Sequence, residues 1–187
     1  MKIAVVGAGA MGGSYGGHLA RTGHDVLLVD TWREHVERIN RDGLALHGLL
    51  GTHRVPVPAS ETADRPGWAD LVIVFVDANS TRVAAQSAVS LRAPDGVVVT
   101  FQNGVGNVEV LEEVVGAEHV LGGSSMCSAA MNGPGAPNLT HLGPTSVGEL
   151  DDGALTPRLS EVVDALTHAG FEVKHEADIR AKIWNLS

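Results

Sequence analysis

The sequence has a single cysteine, no run rich in lysine or arginine, and no apolar stretch long enough to span a bilayer. Each absence excludes something. Cys127 has no partner for an intramolecular disulfide, which suits a reducing compartment. A formal net charge of −9 at pH 7, with no basic patch, argues against nucleic acid or an anionic membrane as a partner. The apolar runs fall well short of the ~20 residues that a membrane helix needs. The opening MKIAVVGAGAMGG starts like a secretory leader, one lysine and then apolar residues. Glycines interrupt it, however, and it passes directly into patterned structure. A cytoplasmic protein is expected.

Several kinds of site are missing as well. The nine histidines are scattered, with no pair at helix-ligand spacing around a carboxylate, so no metal site is expected. A P-loop lacks its Gly-Lys-Ser/Thr ending. Ser124 and Ser125 follow two glycines but sit in no G-x-S-x-G elbow.

What the chain does have is alternation. Its 187 residues, 44% hydrophobic and 19% charged, suit one globular domain with a sizeable core and the start of another. KIAVVG, DVLLVD, DLVIVFV and GVVVTF read as buried strands, being aliphatic, β-branched runs bounded by turn residues. Helical segments separate them. One is closed by Gly23, one by Gly43, one has Ser80 as its N-cap and stops before Pro94, and one ends at Gly116. Strands spaced by single helices make right-handed βαβ units. The expectation is an α/β fold of Rossmann type, doubly wound with a mostly parallel sheet. After Gly122 the chain becomes rich in Gly, Pro, Ser and Thr, which predicts an antiparallel extension whose two strands join at Gly133-Pro134-Gly135. The proline-rich stretch from Gly51 to Trp68 reads as a short strand plus a surface loop. Thr156-Pro157 opens a helix that runs to Gly170, and FEVKHE reads as a final edge strand.

The first strand runs into Gly7-Ala8-Gly9-Ala10-Met11-Gly12, which has the G-x-G-x-x-G spacing. The spacing alone is weak; a strand before it, a helix after it and an acid at the end of the next strand make it a dinucleotide fingerprint. Gly7 permits the tight turn, Gly9 lets the backbone approach a pyrophosphate, and Gly12 lets helix pack closely on strand. The free N–H groups and dipole at the helix start then hold phosphate. Asp30 is placed to accept from the adenosine ribose hydroxyls and to repel a 2′-phosphate. This favours NAD(H), while Arg33 nearby keeps NADP(H) open.

Later stretches, FQNGVGNVEVL, VLGGSS, NGPG, GELD and DIRAKIW, resemble the ketopantoate reductase (2-dehydropantoate 2-reductase) family over nearly the whole chain. The Gln-Asn-Gly triplet is the most specific of them. The resemblance implies a cofactor-binding Rossmann domain, a C-terminal helical domain that closes over it, and hydride transfer to the ketone of a small-molecule 2-keto acid. It places Asn103 at a strand end facing the nicotinamide ribose and substrate, where a carboxamide can both donate and accept. The plainer reading of Asn103 is a turn residue before Gly104. Ser128 falls near a position where the family's backbone touches the cofactor.

The chain departs from the family in three places. A basic residue just after the second strand is replaced by Thr31, which reinforces the NAD(H) reading. A lysine at the end of the fourth strand is replaced by Asp77, which either alters how the ligand is held or caps the helix that follows. The family's general-acid lysine, about two residues past the closing tryptophan, is replaced by Leu186. Lys182, one helical turn earlier, is the nearest candidate for that role; its bland alternative is an exposed lysine.

These points predict residues 1–178 as a dinucleotide-binding domain and 179–187 as the start of a helix leading to a second domain that this chain lacks. Ile183, Trp184 and Leu186 would then form an apolar surface, which predicts self-association through this segment or disorder of it. Two other readings stand beside the reductase: a non-catalytic redox-sensing module, and a β-hydroxyacid-dehydrogenase-like enzyme, against which FQNGVG speaks.

Overall fold

The computed structural model describes residues 1–151 and 153–186. The chain opens with β1 (Lys2–Val6), α1 (Ala10–Arg21), β2 (Asp25–Val29) and α2 (Arg33–Asp42). Three short strands follow: β3 (Leu44–Gly48), β4 (His53–Val55) and β5 (Ala59–Ser60). The winding resumes with β6 (Ala69–Val74), α3 (Thr81–Leu91), β7 (Arg92–Thr100), α4 (Asn107–Val115) and β8 (Val120–Ser125). A hairpin-like pair, β9 (Ser128–Met131) and β10 (Pro137–His141), leads to β11 (Thr145–Glu149). The chain then forms α5 (Pro157–His168), β12 (Val173–His175) and α6 (Ile179–Trp184).

The main sheet has eight strands in the order β12-β11-β8-β7-β6-β1-β2-β5. From β8 to β5 every pairing is parallel; β11 runs antiparallel to β8, and β12 pairs parallel with β11. This is the doubly wound, mostly parallel sheet with an antiparallel extension. The chain winds from β1 outward to β2 and β5, then returns to β6 on the other side of β1. Ligands in such sheets bind beyond the carboxyl ends of the strands at that reversal.

The two strands expected around Gly133-Pro134-Gly135 do pair antiparallel, but in a second sheet of order β4-β3-β10-β9. Sequence reasoning assigns no element to β3. Its burial alternates only over LALHG, with Leu44 and Leu46 buried, which is too short a signal to separate from a loop. It pairs antiparallel with the nearby β4 and, on its other edge, parallel with β10, some ninety positions downstream.

Both faces of the main sheet are covered. Ile3, Val5, Leu28, Leu71 and Ile73 face Tyr15 and Leu19 of α1, Ile39 of α2 and Leu159 of α5. Ala4, Val6, Val72, Val74 and Val98 face Ala84, Ala88 and Leu91 of α3 and Leu111 of α4. α1 is wedged between the two sheets, and its glycines make this fit. A Cβ on Gly16 would come 2.6 Å from Leu28, and one on Gly17 would come 2.6 Å from Leu44 and Leu46.

Capping follows the sequence at Thr156 but not at Ser80, which makes no side-chain cap bond to α3. The Thr156 hydroxyl accepts from the Leu159 N–H at the start of α5. The Asp77 carboxylate accepts from the N–H and the hydroxyl of Ser80, both at 3.2 Å. Asp77 therefore caps the turn that enters α3. Among the described residues no helix is long and apolar enough to cross a membrane.

Candidate functional site

At the carboxyl ends of β1, β2 and β6 lies a cleft of about 430 Å³, floored by Gly7 and Gly9 and walled by Asp30, Glu61, Phe75 and the start of α3. The glycine loop explains its shape. Gly7 adopts φ +89°, and a Cβ there would lie 2.5 Å from the Phe75 carbonyl oxygen. A Cβ on Gly12 would lie 1.9 Å from the Gly7 oxygen, so the first turn of α1 sits directly on the loop. Gly9 is different: a Cβ there meets nothing within 4 Å. The loop thus leaves bare backbone facing open space at its tip. α1 begins there with no side-chain cap and no acid in its first turn. The orphan N–H groups and the positive dipole end are left for an anion.

Asp30, just past the end of β2, is half-buried at the cleft wall. Its Oδ1 accepts from the Trp32 N–H at 2.8 Å, which fixes the carboxylate and leaves Oδ2 to accept from a ribose hydroxyl. Glu61 lines the same wall and supplies a second negative charge; it lies in the irregular loop, where no sequence signal marks it. Among the described residues no lysine or arginine lines this cleft. Arg33, expected as a potential phosphate partner, has its Nε 2.8 Å from Glu37, one turn further along α2.

Asn103 is exposed in the loop after β7. That loop is pinned from beneath. The Gln102 amide donates to the Val76 carbonyl and to Thr81, and Thr100 donates to Gln102 Oε1 at 2.8 Å. Asn107 at the helix start donates back to the Asn103 carbonyl at 3.2 Å. Gln102, not singled out from the sequence beyond its triplet, is the residue that holds this loop against β6 and α3.

Ser128 is exposed at the first position of β9 in the second sheet. Lys182 is half-buried on α6, and α6 docks onto the far half of the main sheet. There Ile179 is buried over Gly122 and Gly148, and Arg180 forms a 2.6 Å ion pair with Glu112. Of the residues predicted from sequence, the cleft brings together Gly7, Gly9 and Asp30. Ala8, Ala10, Met11 and Gly12 lie in the same loop and first helical turn. Asn103, Ser128 and Lys182 are not among its walls. Ile183 and Trp184 approach Val105 and Gly106 of the Asn103 loop across a small recess. The 178/179 boundary falls at Asp178, whose side chain caps α6; Ser187 lies outside the described residues.

Two buried polar groups near the loop escape sequence reasoning because their partners are distant in the chain. Tyr15, fully buried on α1, places its hydroxyl 2.8 Å from Ser125 and 2.6 Å from Thr145. Burial pushes its phenol far above the usual range. His35, fully buried on α2, touches the Ala8 carbonyl at 2.6 Å.

The sequence model of the family described as "Ketopantoate reductase PanE/ApbA" matches residues 3–152. A 2-dehydropantoate 2-reductase of Halobacterium salinarum is 35% identical, over 98% of this chain and 60% of that protein. A solved 2-dehydropantoate 2-reductase of Geobacter metallireducens superposes with TM-score 0.90 at 29% identity, over 98% of this chain and 60% of that one. A D-mandelate dehydrogenase solved with NADH and anilino(oxo)acetate superposes at 0.89 and 31%, over 98% and 59%. The chain spans about three fifths of the length of the curated relatives it matches.

Proposed function

Since the chain belongs to the ketopantoate reductase family, we propose that it forms the cofactor-binding part of a nicotinamide-dependent oxidoreductase. The reaction reduces a 2-keto acid such as ketopantoate to its 2-hydroxy acid. Residues 1–178 are the dinucleotide-binding domain and residues from 179 the start of the helix that leads out of it. The observation that carries the reading is the unobstructed backbone at Gly9, set against an uncapped helix start in a cleft closed by Asp30. Phosphate fits there because N–H groups and the helix dipole supply the positive potential that the cleft's side chains do not.

The residue roles follow from position. Gly7, Ala8, Gly9, Ala10, Met11 and Gly12 hold the pyrophosphate, and Asp30 accepts from the adenosine ribose. Asn103 orients the nicotinamide ribose and the substrate, and the Ser128 backbone borders the cofactor. Lys182 is the candidate proton donor to the alkoxide oxygen, since an ammonium can donate as that charge develops. When bound, the nicotinamide supplies the hydride.

NAD(H) is the favoured cofactor. A 2′-phosphate would enter beside Asp30 and Glu61 and find Arg33 already facing Glu37; like charges at such range are unfavourable by about 1 kcal/mol or more near a surface. The apolar, exposed Trp184 and Leu186 are the surface through which the chain self-associates, which sedimentation at several concentrations tests.

A second reading, a non-catalytic dinucleotide-sensing module, is favoured by one observation: Lys182 and Asn103 lie outside the cleft walls. It predicts that Lys182→Met leaves any keto-acid turnover unchanged.

Parallel fluorescence titrations with NADH and NADPH test the primary reading. Tighter NADH binding is expected. Tighter NADPH binding would sink the assignment to Asp30 and Glu61, and binding of neither would sink the cofactor reading for this chain.

A further inference from the structure

The structure assigns a function to His35: it is the positioning residue that aims the phosphate-binding loop, acting through the Ala8 peptide. The inference rests on the reading of the glycine loop as a phosphate cradle.

His35 sits in the first turn of α2 and is fully buried. Both ring nitrogens are engaged: Nε2 lies 2.6 Å from the Ala8 carbonyl oxygen, and the Gly135 N–H donates to Nδ1 at 2.7 Å. A backbone N–H can only donate, so Nδ1 is the acceptor. The ring is therefore neutral, and Nε2 carries the proton that it donates to Ala8. The remaining freedom is taken up by Trp32, stacked on the imidazole with ring centres 5.1 Å apart and planes 14° apart. Gly135 is in turn tied to β3, because the Ala45 N–H donates to its carbonyl at 2.8 Å.

The consequence lies in the geometry of the peptide. In a trans peptide the C=O and the following N–H point in opposite directions. By drawing the Ala8 carbonyl into the interior, His35 turns the Gly9 N–H the opposite way, at the residue where an added Cβ would meet nothing within 4 Å. A buried neutral imidazole thus decides the direction of an N–H at the tip of the anion site. The same ring ties that tip to the segment that follows Asp30 and to the turn between β9 and β10, so the two ends of the cleft are held in one register. Preorganisation of this kind adds affinity by removing the ordering cost at the moment of binding.

The test separates phosphate recognition from general folding. NADH, ADP and adenosine are titrated against the wild-type chain, His35→Gln and His35→Asn, with adenosine followed by NMR. A glutamine amide spans about the same two positions as the imidazole nitrogens, with an N–H for Ala8 and an oxygen for Gly135; asparagine is too short to reach both. H35N is expected to bind NADH and ADP at least tenfold more weakly, with adenosine unchanged within twofold, and H35Q to recover most of the loss. Nitrogen-15 shifts of the wild-type ring should report the Nε2–H tautomer. An Nδ1–H tautomer, unchanged ADP affinity in H35N, or an equal loss of ADP and adenosine would each overturn the assignment. If the wild type binds neither NADH nor ADP, the cofactor reading itself fails and this inference falls with it; if wild type and H35N bind both alike, only the role of His35 fails.

Discussion

Replacing Gly9 by alanine should separate binding from folding at this loop. The Gly9 φ of −71° is negative, and the added methyl would meet no protein atom within 4 Å. Stability should therefore move by less than about 1 kcal/mol, as for most substitutions that disturb no packing. The methyl would instead occupy the space where the pyrophosphate must approach the backbone. Losing one or two charge-assisted hydrogen bonds costs about 2–4 kcal/mol, which is roughly a thirtyfold to several-hundredfold weaker NADH dissociation constant. Gly12→Ala is the internal contrast. Its Cβ would lie 1.9 Å from the Gly7 oxygen, a clash with backbone that cannot rotate away. It should cost about 3 kcal/mol, the upper end of the usual range for overpacking. For a chain of this size that lowers the melting temperature by roughly 6–12 °C. Fluorescence titration with NADH and a thermal melt on both variants provide the assay. Wild-type NADH affinity in G9A would refute the placement of phosphate above Gly9, and a wild-type melt for G12A would refute the close packing of α1 on the loop.

Other perturbations probe the rest of the site and its support. The double substitution Asp30→Asn with Glu61→Gln removes two negative charges from the cleft wall and should raise NADPH affinity about five- to thirtyfold, at roughly 1 kcal/mol per exposed pair interaction. Unchanged NADPH binding would place the ribose elsewhere. His18 is buried, and that burial pulls its pKa from 6.5 down to about 4. The unfolded chain therefore binds a proton that the folded one resists. Stability should be full above pH 6.5 and decline as pH falls from there toward 4, a slope that urea melts should find flattened in His18→Met. Tyr15→Phe leaves the Ser125 and Thr145 hydroxyls without their shared buried partner and should cost about 1–3 kcal/mol in a denaturant titration.

The architecture was legible because the strands around the reversal point announce themselves. KIAVV, DVLLV and the apolar end of β7 are continuous buried runs, and each is followed by a helix with a readable start or stop. The tight turn at Gly7 and the close approach at Gly12 were legible for the same reason, since local chemistry dictates them. What sequence reasoning missed is what depends on distant partners. LALHG pairs on one edge with the three-residue β4 and on the other with a strand some ninety positions away, and its own five residues are too few to foretell either. In sequence His35 is only one of nine scattered histidines, because its partners, Ala8 and Gly135, lie 27 and 100 positions off. Glu61 sits in a loop without periodicity, and only the folded path brings it to the wall that Asp30 lines. The entry to α3 shows the intermediate case: the sequence offers Asp77 either as a ligand-holding departure or as a cap, and its side chain does accept from Ser80 in the turn before the helix.

The glycines that let α1 slide between two sheets also bear on when it can form. Gly12, Gly13, Gly16 and Gly17 fill a third of its twelve positions, each costing about 1 kcal/mol of helix propensity relative to alanine. Such a segment gains almost nothing by coiling on its own, and its neighbours Leu28, Leu44 and Pro137 come from three separate stretches of chain. The helix that begins at the anion site should therefore be among the last elements to become protected during refolding. Pulse-labelled hydrogen exchange should find its amides trailing those of β6 and β7. A partly folded chain would then have no competent cradle, and ligand capture would report completion of the fold itself.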